Sequence, residues 1–231
     1  MSAPLTVCCF LWADPKYRFA GRYGAEHVNR LHRMVARNLA QPHRFVCVTD
    51  IPEGIERGVD IVPIWQDHRD MGGNWLRIKL FAPEMADLLG PRFVLMDLDC
   101  VVTGPLDPLF DTDADFIVTR STNPASTYNS GFFMLKSGSR AQVWQTFEPK
   151  AARASEKAPG MWEQAWISHV LGPNEATWGK AEGVLQYNTD VLRGNDGKLP
   201  DGARIVFFPG PYDPSLPKDQ AASPWIKEFW F

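Results

Sequence analysis

The stretch Arg92-Phe-Val-Leu-Met-Asp97-Leu-Asp99-Cys-Val101 decides how this chain is read. The apolar run Phe93 to Met96 has the length of a strand covered on both faces. Two carboxylates follow at i and i+2, and then a second apolar pair, Val101 and Val102. In extended backbone, residues two apart point to the same side. Asp97 and Asp99 are therefore expected to face one spot just beyond the end of a core strand. Two like charges so close are costly unless a cation lies between them. Mg²⁺ or Mn²⁺ suits such an oxygen pair, and a phosphate-bearing substrate can complete the shell.

Upstream, Thr6 to Trp12 is a continuous apolar strand, followed by a polar loop from Ala13 to Gly24. Ala25 to Ala40 places Val28, Leu31, Val35 and Leu39 at helical spacing with basic residues opposite. Strands are expected at His43 to Asp50 and Val59 to Ile64, where Pro63 marks an edge or an end. After the break Met71-Gly72-Gly73, Trp75 to Phe81 reads as helical, and Pro83 opens a short helix to Leu89. Downstream, Asp115 to Thr119 and Gly131 to Leu135 read as strands separated by a polar loop, Arg120 to Ser130. Ser139 to Ala154 and Met161 to Leu171 read as helices around Pro159-Gly160. Arg204 to Phe208 is the last strand, and from Pro211 the tail is irregular, ending on Trp225-Ile-Lys-Glu-Phe-Trp-Phe231. Strands alternating with helices over the first 100 residues suggest an α/β fold, a parallel sheet with helices on both faces. Sites in such sheets lie beyond the carboxyl ends of the strands, where Asp50, Asp97 and Asp99 fall.

With 231 residues, 45% hydrophobic and 22% charged, the chain fits one large domain, 1–231, with a sizeable core. A net charge of -3 and the lack of a basic run argue against a nucleic-acid partner. No apolar run is long enough to span a membrane. Leu5 to Ala13 has no basic residues before it and no cleavage site, so it reads as a first strand rather than a leader. Cys8, Cys9, Cys47 and Cys100 fit no zinc spacing and read as buried thiols, with the cytoplasm as the expected compartment. His27, His32, His43, His68 and His169 form no ligand spacing. The tail aromatics are expected to pin the tail to the body or to form a homo-oligomer contact.

Two enzyme classes place Asp-x-Asp after an apolar strand. Phosphatases with an aspartyl nucleophile also need a later acidic pair after another strand. The expected strands after residue 100 end in Thr119-Arg120, Lys136-Ser137 and Pro209-Gly210, which offer none. The other class is the metal-dependent glycosyltransferases of the GT-A fold. Four landmarks carry a resemblance to a bacterial relative of the glycogenin-like, retaining members. They are the opening strand with Val48-Thr-Asp50; Trp75-Leu-Arg-Ile-Lys79-Leu-Phe81; Met96-Asp-Leu-Asp99 with Pro105-Leu-Asp-Pro-Leu-Phe110; and Tyr128-Asn-Ser-Gly131-Phe-Phe-Met-Leu135.

The resemblance implies a GT-A-like α/β fold with a mixed, mostly parallel sheet flanked by helices, and a sugar moved from a nucleotide diphosphate sugar, a UDP-sugar by preference, to a glycan, a lipid-linked sugar or a protein. Asp97 and Asp99 would hold Mn²⁺ or Mg²⁺ against the donor diphosphate. Trp12, Ala13 and Asp50 would line the nucleotide pocket, and Lys79 and Arg77 would face the donor's charge. Asn129, Ser130 and Gly131 would meet the sugar or acceptor, with Gly210 in the loop after the last strand. Glu163-Gln164-Ala165 stands where the family often has Asp-Gln-Asp, which puts Gln164 at the reacting carbon beside Glu163. Turn chemistry at Asn129 to Gly131 and an exposed helix face at Glu163 and Gln164 are the structural alternatives. The family often carries His-Phe-x-Gly-x-x-Lys-Pro after the last strand. Here Phe207 stands at the ligand position, Pro209 in the alternative register, and Asp213 at the lysine. Asp213 then points away, ligates the cation, or the donor is held differently, with Lys218 a candidate substitute cation. These losses also open a second function, a non-catalytic nucleotide-sugar binder.

Overall fold

A computed structural model describes residues 4–13, 22–122, 126–154 and 163–231. Most of the expected loop after the first strand, part of the loop before Ser130, and the Pro159-Gly160 break with Met161 lie outside the described residues.

Strand β1 (Leu5–Leu11) is buried at every position, as its unbroken apolar run requires. Helix α1 (Ala25–Asn38) follows and buries His27, Val28, Leu31, Met34 and Val35. A large apolar side chain contributes roughly 1.5–3 kcal/mol on full burial, against about 0.3–0.5 kcal/mol for an exposed helical ion pair. The apolar stripe therefore anchors α1, and the Arg30–Glu26 pair on its outer face is secondary.

Then come β2 (His43–Thr49), β3 (Val59–Pro63), a 3-10 helix over Gly73–Phe81, α2 (Met85–Leu89) and β4 (Arg92–Met96). The 3-10 segment buries Trp75, Leu76, Arg77, Ile78, Leu80 and Phe81, so it is a core plug rather than an amphipathic helix. The chain continues through β5 (Cys100–Val102), α3 (Asp107–Phe110), β6 (Phe116–Arg120), β7 (Tyr128–Lys136), α4 (Gln142–Gln145), α5 (Pro149–Ala154) and α6 (Glu163–Leu171). It ends with β8 (Ala176–Trp178), β9 (Val184–Gln186), β10 (Ile205–Phe207), α7 (Pro217–Ala222) and α8 (Ile226–Phe229).

Seven strands form the main sheet in the order β3-β2-β1-β4-β7-β6-β8. Its pairings are parallel except where β7 runs antiparallel to β4 and β6. β3 is an edge strand, which accommodates Pro63. A smaller sheet of three, β5-β10-β9, stands beside it. The expected mixed, mostly parallel α/β architecture with flanking helices is the one found.

Three expectations are corrected. The helix over Ser139 to Ala154 is two short helices, because Pro149 cannot donate an intrahelical bond and instead opens α5. Residues 128–130 belong to β7 rather than to the loop before it. The tail from Pro211 is less irregular than expected, since α7 and α8 form there. Trp225, Ile226 and Trp230 are buried, and Arg30 and Arg37 of α1 stack over Trp230 and Phe231 at 4.0 and 3.8 Å. The tail aromatics thus pin the tail to α1. Cys8, Cys9, Cys47 and Cys100 are free and buried.

Candidate active site at the seam of two sheets

The Asp97-Leu98-Asp99 step is the seam between the two sheets. Strand β4 ends at Met96, and the Asp97 amide extends its ladder by donating to the Gly131 carbonyl of β7 at 2.8 Å. Two residues on, the Asp99 carbonyl accepts from the Phe208 amide at 2.8 Å, next to the β10–β5 ladder. One carboxylate is thus tied to the large sheet and the other to the small one. Leu98 between them is buried and faces the core.

On the large-sheet side, Arg77 is the hub. Its guanidinium donates to Asp97 Oδ1 at 2.5 Å, to Glu163 Oε1 at 2.6 Å and to the Ser130 carbonyl at 3.1 Å. The Ser130 hydroxyl adds a bond to Glu163 Oε1 at 2.7 Å. Arg77 and Glu163 side chains are 5% and 2% exposed, whereas Asp97 keeps 32%. Only Asp97 of the three opens outward. Burial and the Glu163 charge raise the Asp97 pKa, against the pull of Arg77.

Gly131 makes room for this arrangement. A Cβ there would come 2.5 Å from Asp97 Oδ2. Asn129 Oδ1 accepts from the Gly131 amide at 2.9 Å, so the Asx-type turn chemistry considered for this segment occurs within β7.

On the small-sheet side, Asp99 Oδ2 accepts from the Tyr23 hydroxyl at 3.3 Å. Burial first, and then the charge of Asp97, raise the Asp99 pKa to about 7. The same burial, with the Asp99 charge, raises the Tyr23 pKa and keeps the phenol a donor.

The fit of a divalent cation is therefore partial. Asp97 and Asp99 are both half-buried, and the charge of Asp97 makes the charge of Asp99 unfavourable, which a divalent cation would relieve. Among the described residues, no group of three His, Cys, Asp or Glu side chains is arranged to hold a metal. Phe207 and Phe208 are buried and supply no ligand atom.

Asp213 does not ligate at this point. It is fully buried, taking the Arg22 Nε at 3.0 Å on Oδ2 and the Ser215 amide and hydroxyl at 2.8 and 2.5 Å on Oδ1. Burial alone would raise its pKa, but hydrogen bonding and Arg22 prevail and lower it to about 2. Gly210 adopts φ +73, and its carbonyl accepts from Arg22 Nη1 at 2.8 Å. Lys218 stays on the outside of this loop, donating to the Pro211 carbonyl at 3.2 Å, so it does not replace the absent lysine.

A second group gathers at the carboxyl ends of β1 and β2. The Ala13 amide donates to Asp50 Oδ1 at 3.0 Å, and Arg69 bonds to Asp50 Oδ2. Trp12 packs edge-on to Phe10, with ring centroids 6.3 Å apart. Lys79 is turned to Asp67 at 2.6 Å rather than to either carboxylate of the seam. Gln164 donates to the Ser126 hydroxyl at 3.1 Å. Glu163 is not on an exposed helix face. The sequence offered no local signal for Arg22, Tyr23 or Arg69, since their partners are brought to them by the fold.

A seven-stranded, mostly parallel sheet with a reversed β7 and a small sheet beside it is a GT-A-like fold. Comparison with solved structures shows this fold directly. The galactosyltransferase LgtC, solved with donor and acceptor sugar analogues, superposes with a TM-score of 0.65 at 13% identity, over 98% of this chain and 97% of that one. Glycosyltransferase GlyE of Streptococcus pneumoniae TIGR4 gives 0.65 at 14% identity, over 93% of this chain. The bifunctional WbbM gives 0.57 at 11% identity, over 99% of this chain. The chain spans 57% of GlyE and 51% of WbbM. No family model and no curated protein matches the sequence. Among the described residues, no helix is long and apolar enough to cross a membrane.

Proposed function

We propose that the protein is a glycosyltransferase that takes a sugar from a nucleotide diphosphate, with UDP as the nucleotide and a divalent cation assisting, and passes it to a glycan, lipid-linked sugar or protein acceptor. The observation that carries this is the Asp97/Asp99 pair at the seam, two half-buried acids just beyond the carboxyl end of β4. The GT-A fold supports it.

Asp97 and Asp99 would hold Mn²⁺ or Mg²⁺, and donor phosphate oxygens and water would fill the positions that no third side chain supplies. Such a cation offsets charge developing on the leaving diphosphate. Arg77 fixes the Asp97 carboxylate, so its free oxygen is aimed before the donor arrives. The Glu163–Ser130 bond in turn fixes Arg77. Ala13 and Asp50, braced by Arg69, form the polar end of the nucleotide pocket. Gln164 is the residue proposed to lie beside the reacting carbon. An active-site glutamine-to-glutamate mutant of LgtC has been solved, which supports an active-site glutamine here.

A non-catalytic nucleotide-sugar binder is the alternative, motivated by Phe207 and Asp213 standing where the family often has a metal ligand and a lysine. A phosphatase is not favoured, because the sheet is that of glycosyltransferases. Titrating Mn²⁺ in a UDP-sugar hydrolysis assay tests the proposal. Metal-dependent release of sugar is the expected outcome. UDP binding without sugar release at any metal level identifies the binder, and no binding of UDP or its sugars removes both.

A further inference from the structure

Each carboxylate of the seam has an arginine near it, and only Arg77 has a task so far. The other, Arg22, precedes α1. Its Nε, Nη1 and Nη2 donate to Asp213 Oδ2, the Gly210 carbonyl and the Tyr212 carbonyl. The guanidinium carbon lies 5.4 Å from the centroid of the Tyr23 ring, and the Tyr23 hydroxyl donates to Asp99 at 3.3 Å. Arg22 thus stands one side chain away from the carboxylate that the small sheet supplies. The pair it forms with Asp213 is asymmetric. Asp213 is 1% exposed and Arg22 19%, so solvent meets the cation and not the anion.

A guanidinium fixed by acceptors at known positions loses little freedom when it meets an oxyanion. An anion bound outside Asp99 would meet Arg22 on this flank. Asp213 would lie behind it, orienting the guanidinium while partly cancelling its charge. We infer that Arg22 is a diphosphate-binding residue of this site, held in place by Asp213 and reaching the donor from the Asp99 side. This rests on the proposed function, and the two members of the pair then affect binding with opposite signs. A clasp that only held the loop after β10 would give both the same sign.

The test is calorimetric titration of the full chain with UDP and with UMP in the presence of Mn²⁺. Arg22→Gln is expected to weaken UDP about tenfold or more, the effect of one lost charge contact, and UMP by less because a phosphate is missing. Arg22→Lys keeps the charge and is expected to bind UDP within a few-fold of the parent. Asp213→Asn keeps the shape, removes the opposing charge and is expected to bind UDP a few-fold tighter. Arg22→Gln binding UDP within twofold of the parent overturns the assignment. So does Asp213→Asn weakening UDP as Arg22→Gln does, because the pair is then a clasp alone. Should Arg22→Gln not fold, Asp213→Asn decides: tighter UDP binding supports the assignment and weaker binding overturns it. A parent chain that binds no UDP overturns the proposed function itself, and this inference with it.

Discussion

The two walls of the seam solve one electrostatic problem in different ways. The large-sheet wall puts Arg77 between two acids, Asp97 and Glu163, and buries the base and the inner acid almost completely. The small-sheet wall leaves Asp99 with a phenol, and spends its arginine on a different acid, Asp213, set behind it. One wall is a rigid mount and the other an adjustable one. On the first, Asp97 is aimed whether or not a cation is present. On the second, Asp99 retains the cost of its own charge, with a pKa near 7 in the absence of a cation.

If the first wall is a mount, removing its hub is the largest perturbation. Arg77→Met leaves Glu163 buried without its ion-pair partner. Breaking a buried pair from one side costs about 3–5 kcal/mol, and that loss is expected in urea unfolding. A cost under about 1 kcal/mol, the range of exposed pairs, would mean that the wall is not braced by this cluster.

Gly131→Ala tests the same wall without touching its charges. The new methyl would sit 2.5 Å from Asp97 Oδ2, on the side away from the oxygen that Arg77 holds. Overpacking of this kind costs typically 1–3 kcal/mol. The carboxylate oxygen meant for the cation must move, so the rise in melting temperature given by UDP with Mn²⁺ is expected to vanish while the variant stays folded. Retention of that rise would show that Oδ2 is not the cation-facing oxygen.

The small-sheet wall has its own signature, in acid. The Asp213 pKa is lowered from 3.8 to about 2, so its stabilising effect is complete above pH 3.8 and is lost as pH falls through 2. The shift corresponds to about 2 kcal/mol. Asp213→Asn lacks that contribution, so the gap in melting temperature between parent and variant is expected to close between pH 4 and pH 2. A gap that stays constant over that range would mean the carboxylate's charge is not what holds the loop.

This contrast also separates what the sequence could show from what it could not. Asp97, Asp99 and the strand before them are contiguous, and a four-residue apolar run ahead of a paired acid is a local pattern. The parallel half of the sheet was legible for the same reason, since β1, β2 and β4 are continuous apolar runs. Strands β5, β8 and β9 have three residues each, too few to show a period of two, and they form because a neighbour supplies the ladder. Arg77 and Lys79 were both expected to face the donor's charge, and nothing local reveals that a 3-10 turn buries the first against Asp97 and Glu163 and turns the second, half-buried, to Asp67. The Arg22–Asp213 contact joins residues 191 positions apart, so the charge reversal at Asp213 was visible while its remedy was not.

Lys79 gives the smallest effect and bounds the comparison from outside. It was expected to face the donor's negative charge, yet it bonds to Asp67 at 2.6 Å with its ammonium 6.0 Å from the centre of the Trp144 ring. The Lys79 and Asp67 side chains are 19% and 39% exposed, and pairs in that range contribute about 0–1 kcal/mol. Lys79→Met keeps an apolar stem of similar length and removes the charge. Its stability is therefore expected within about 1 kcal/mol of the parent, and its UDP affinity within a few-fold, in contrast to Arg22→Gln. A tenfold loss of UDP affinity in Lys79→Met would mean that Lys79 leaves Asp67 to meet the donor. The donor's charge would then be gathered by the large-sheet wall as well, and the division of labour between a rigid and an adjustable wall would no longer hold.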